Sequence, residues 1–142
     1  KYNDKILHQS KILKYFVEGE NKKKVQKDID KIFKKVTKNN KYFISAKDLA
    51  LADALINDGF SLPANFKYDE LSKKYEVPDN LLKLIDNEQK AFLTLKIVEI
   101  IGEDEIYQLD PETIYFVTNL LNKMSLYTIR NKVIVSALPE RA

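Results

Sequence analysis

Between Asn21 and Lys38 the apolar residues recur with the period of an α-helix. Val25, Ile29, Ile32, Phe33 and Val36 fall within about 100° of one another on a wheel of 3.6 residues per turn. Lys27, Lys31, Lys34 and Lys38 lie on the opposite side. A helix with one apolar stripe has to bury it against other elements, and the rest of the chain offers helices as the only candidates. The 142 residues include 3 glycines and 4 prolines, too few punctuators for a fold of many short strands and tight turns. Tyr42-Phe43-Ile44 and Lys132 to Val135 contain β-prone residues, but both runs are short and lack a hairpin partner.

Start and stop signals divide the chain into further helices. Asp4 to Val17 carries apolar residues at mixed three-, four- and five-residue intervals and stops at Gly19. Ser45 has the chemistry of an N-cap, with Asp48 at the third helical position completing an acidic form of the capping box. The helix it opens runs to Gly59. Residues 60–66, with Pro63 inside, form a connector, and a short helix from Tyr68 to Tyr75 ends before Pro78. A long stretch follows from Pro78 to Gly102. Ala91 to Ile101 is apolar on nearly every side, the pattern of a helix buried among others. It is expected to form the centre of the core through Phe92, Leu95, Ile97, Val98, Ile100 and Ile101, with Val117, Leu121 and Val133 against them. Asp110-Pro111-Glu112 combines a cap residue, proline at the first helical position and an acid in the first turn. Ser125 can end that helix and cap the last one, which runs to Pro139.

Short connectors imply antiparallel neighbours. The predicted fold is therefore all-α, a succession of antiparallel helical hairpins forming an irregular helical bundle or a short α-solenoid. The chain reads as one domain, 1–142. Residues 1–42 hold 13 lysines against 5 acids, whereas residues 43–142 carry 11 basic and 16 acidic side chains. The first part is expected to be a basic helical hairpin packed on, or leading into, a 43–142 helical core.

Few chemistries have the residues they need. The absence of cysteine removes disulfides, thiolate nucleophiles and cysteine-based metal sites; a bacterial cytoplasm and a periplasm both tolerate such a chain. His8 is the single histidine, and no serine elbow, HExxH or calcium-loop spacing accompanies it. Glu103-Asp104-Glu105 with Asp110 and Glu112 is explained by carboxylates gathering at a positive helix start. Glycines 19, 59 and 102 are isolated, so no phosphate-cradling loop is present. No apolar run reaches the roughly 18 residues of a membrane span. No catalytic, cofactor-binding or metal residues are assigned, and no cofactor is expected.

Two surfaces remain. Phe60 and Phe66 in the connector, and Tyr115 and Phe116 off the main stripe of their helix, are either covered core or a partner surface. Lys23, Lys27, Lys31, Lys34 and Lys38 form a solvated face, with Lys22, Lys24, Lys35 and Lys41 nearby. The abundance of Lys, Asn, Ile and Tyr matches AT-rich coding, which accounts for lysines without a function. The expectation is a non-catalytic protein-interaction domain, bacterial, whole or part of a larger or processed protein. The alternative is a nucleic-acid-associated protein using the lysine-rich helix 22–41.

Overall fold

The computed structural model describes residues 11–19, 21–38, 44–75, 89, 92 and 110–137. Six α-helices are found among them: α1 (Lys11–Glu18), α2 (Lys22–Lys38), α3 (Ala46–Asn57), α4 (Tyr68–Ser72), α5 (Pro111–Lys123) and α6 (Tyr127–Ala137). A 3₁₀ turn, Lys73–Tyr75, extends α4. The described residues contain no strand, and the all-α expectation holds. His8, Lys41, the acidic group 103–105 and Leu95 to Ile101 lie outside the described residues.

The helix ends follow local chemistry. At the start of α3 the Asp48 amide donates to Ser45 Oγ at 3.3 Å, and the Ser45 amide donates to Asp48 Oδ2 at 2.9 Å. This is the reciprocal capping box expected from sequence. At the other end Gly59 adopts φ +93. Its amide reaches the Ile56 carbonyl at 3.1 Å, and the Phe60 amide reaches Leu55 at 3.0 Å. That pair of bonds is a Schellman motif, whose left-handed residue is usually glycine.

The end of α5 repeats the motif with a serine. Ser125 sits at φ +57, its amide bonded to the Asn122 carbonyl at 3.1 Å while that of Leu126 reaches Leu121 at 2.9 Å. Ser125 therefore ends α5 but does not cap α6: the first bond of α6, from the Arg130 amide at 3.0 Å, ends on the Leu126 carbonyl. Asp110 occupies the cap position before Pro111 without making a side-chain cap bond.

Among the described residues the central helix is α3. Leu49 through Leu55 are all buried, because α5, α4 and α6 all pack around this one helix. Its closest partner is α5, through Ile114, Val117, Leu120 and Leu121. The first described helix, α1, packs on both α2 and the last helix, α6. In an α-solenoid each repeat touches only its neighbours, whereas among the described residues the first and last helices, α1 and α6, are in contact. Phe92, expected at the centre of the core, is 63% exposed.

The connector 60–66 lies along α2. Gln26 grips Ser61 at both backbone groups, donating to its carbonyl at 2.8 Å and accepting from its amide at 3.0 Å. Asn65 donates to Thr37 Oγ1 at 3.0 Å. Phe66 meets Phe33 edge-on at 4.8 Å. These contacts fix which side of α2 faces the bundle.

Candidate functional site

The interior contains a polar network that joins five helices. Arg130 of α6 is 1% exposed. Its guanidinium grips the Asp58 carboxylate with two parallel bonds of 2.7 and 2.8 Å, the geometry that suits a planar fork. The same head donates to Asn122 Oδ1 at 3.1 Å and to Asn131 Oδ1 at 2.7 Å. Its faces lie near the rings of Tyr127 and Phe16, at 4.9 and 5.7 Å. Tyr15 of α1 donates to Asp58 Oδ2 at 2.7 Å.

Asn122 passes the network on to Asp53. Its amide donates to Asp53 Oδ2 at 2.8 Å, and Asn119 donates to the same oxygen at 2.9 Å. Asn57 serves Oδ1 at 3.2 Å. The Tyr68 hydroxyl is held between Asp53 and the Tyr115 hydroxyl, the latter at 2.7 Å. Burial raises the pKa of Tyr68 far above the ordinary tyrosine range, with the Asp53 charge and the Tyr115 bond adding to it. Tyr15 is pushed up to about 12, first by burial and then by its bond to Asp58 and that group's charge, against a smaller opposing effect of Arg130. Both phenols are thus held protonated.

Chemically this is a closed set. A carboxylate that already accepts several donors inside the fold is a poor general base, and a buried charge needs such partners to be tolerated at all. The ends of the network are anchored in two side chains, Arg130 and Asp53, that sit where a buried stripe has to be. Arg130, Val133, Ile134 and Ala137 are the buried residues of α6, with the i, i+3, i+4, i+7 spacing of a helix face. An arginine in that register was the sequence signal for a buried acid partner. Asp53 carried the same signal within the run Leu49 to Leu55.

An open cleft lies between α1 and α6. Its volume is about 540 Å³, and it is lined by Phe16, Val17, Thr128, Asn131, Lys132, Val135 and Ser136. Val17 is 62% exposed. Asn131 is the point at which the cleft touches the polar network; neither Asp53 nor Asp58 lines it.

Of the four aromatics singled out by sequence, three are covered. Phe60 packs edge-on against Tyr15 with ring centroids 5.1 Å apart. Phe66 is held by Phe33, and Tyr115 by Tyr68 and the Tyr75 ring. Phe116 alone of the four is open, 43% exposed. The structure does not bring these four together as one surface. Lys23, Lys27, Lys31, Lys34 and Lys38 are all exposed along α2. Among the described residues no group of three or more His, Cys, Asp or Glu is placed to hold a metal, and no helix is long and apolar enough to cross a membrane. Compared with protein-family models, curated proteins and solved structures, the chain matches none of them.

Proposed function

We propose that this chain is a non-catalytic helical domain that works by binding another protein through the cleft between α1 and α6. The observation that carries the reading is the cleft itself, with Val17 of α1 open to solvent, Val135 of α6 half-buried beside it and polar groups at its edge. Phe16 and Val135 offer an apolar floor, Val17 an apolar rim, and Lys132 a cation beside them. That chemistry fits a partner segment with one apolar anchor flanked by an acid. Buried anchors in apolar pockets with polar surroundings are the usual source of binding energy. Among the described residues, Asp53, Asp58, Tyr15, Tyr68 and Tyr115 are held in the interior network.

The test places a photo-crosslinking amino acid at Val17, with the same residue at the exposed Glu70 as the off-site control, and irradiates the source cell. A single protein partner captured from position 17, and lost when Lys132→Glu is added, is the expected result. Equal capture from both positions, or none from position 17, would sink the reading.

A further inference from the structure

We infer that the exposed face of α2 is a docking surface for the phosphate backbone of a duplex nucleic acid, bound without regard to sequence. This face is separate from the cleft and does not depend on it. At 100° per residue, Lys23, Lys24, Lys27, Lys31, Lys34, Lys35 and Lys38 occupy an arc of about 120°. All seven are exposed. Asp28 and Asp30 border the arc and do not interrupt it, and the Asp30 carboxylate accepts from Gln26 at 2.9 Å. Among the described residues the ion pair found joins Arg130 to Asp58, and none of the seven lysines enters one. The opposite face of α2 is committed: Val25, Ile29, Phe33 and Val36 are buried, and Gln26 and Thr37 hold the connector. The orientation that exposes the lysines is therefore built into the packing.

The dimensions match a polyphosphate. From Lys23 to Lys38 a helix rises about 22 Å, so the seven charges succeed one another at a mean interval of about 3.7 Å along the axis. Each strand of a duplex carries one phosphate per about 3.4 Å of rise along the duplex axis. The major groove, roughly 12 Å wide, admits a helix, and lysines spread over an arc reach phosphates on both of its walls. The composition of the arc selects among polyanions. It has no apolar residue to enter a lipid interface and no aromatic on which unpaired bases could stack. Lysine is also depleted in protein–protein interfaces.

The experiment is a fluorescence-anisotropy titration of a labelled 20-base-pair DNA duplex with the whole chain, between 20 and 200 mM NaCl. With four or five phosphates engaged, the logarithm of the binding constant should fall with the logarithm of salt at a slope of about −4. Replacing Lys27→Gln, Lys31→Gln and Lys34→Gln together removes three charges and keeps good helix formers in place. It should flatten the slope by about 2.7. Lys31→Gln alone, which leaves the fold least disturbed, should flatten it by about 0.9. The control, Lys67→Gln with Lys73→Gln and Lys123→Gln, makes the same change in net charge away from α2 and should leave the slope unchanged. Three results overturn the inference: no binding at 20 mM NaCl, an equal loss in the control, or binding to phosphatidylserine vesicles with none to the duplex.

Discussion

Removing either member of the Arg130–Asp58 pair should destabilise the domain nearly as much as removing both. Asp58→Ala leaves a guanidinium that is 1% exposed with asparagine oxygens as its remaining acceptors. Uncompensated buried charges of this kind cost about 3–5 kcal/mol. The lower end applies here, because the Asp58 side chain retains 12% exposure and water can reach the space it vacates. Arg130→Met fills much of the same volume and leaves Asp58 with Tyr15 as its donor, for a cost of about 2–3 kcal/mol. In the double variant neither charge is stranded, so the two costs should fall short of additivity by about 2 kcal/mol. Equilibrium urea unfolding measures this directly. With a slope of about 1.5 kcal/mol/M, Asp58→Ala should lower the midpoint by about 2 M. Arg130→Lys separates charge from geometry: a lysine cannot reproduce the two-pronged grip, so most of the loss should persist. Single variants that unfold with the parent, or strictly additive costs, would refute the account of this network as a set of mutually dependent partners.

Three further outcomes follow from local geometry. Ser45→Ala removes one half of an observed capping box and should cost about 1 kcal/mol, whereas Asp110→Ala has no side-chain cap bond to lose and should cost a few tenths by comparison; thermal melts distinguish them. Ser125→Gly relieves a left-handed serine and should stabilise by roughly 0.5 kcal/mol, while Gly59→Ala meets no neighbouring atom within 4 Å and should cost about 1 kcal/mol from its φ alone. Tyr15 has a raised folded-state pKa, so its contribution is fully present below pH 10 and is lost as pH rises from 10 towards about 12. The melting temperature should therefore fall through that window, and less so in Tyr15→Phe; a tyrosinate absorbance titration in which Tyr15 ionises with the exposed phenols would contradict this.

Among the described residues, the sequence by itself determined the helices and most of their ends. The capping box at Ser45, the stop at Gly59 and the lysine-opposed stripe of α2 are written in residues no more than a turn or two apart, and the forces that read them are equally local. The same local signals were right about Asp110 as the cap position and wrong in expecting its side chain to accept a cap bond. Tertiary structure decided what the polar residues do. Ala91 to Ile101, expected as the central helix, lies outside the described residues apart from the exposed Phe92; among the described residues α3 is the most enclosed helix. Alanines on several sides of α3 let neighbours approach it closely, and so shorter side chains count for as much as hydropathy. Phe60, Phe66 and Tyr115 could be covered or open on sequence alone, and the elements packed on them settled the matter. The network was hidden for the same reason. Asn119, Asn122 and Arg130 find their carboxylates 66, 69 and 72 residues away. An arginine on an apolar stripe announces that an acid must meet it, because a buried charge cannot stand alone. Which acid it is depends on how α3 and α6 pack, and that is fixed by the sum of many apolar contacts rather than by any short stretch of chain.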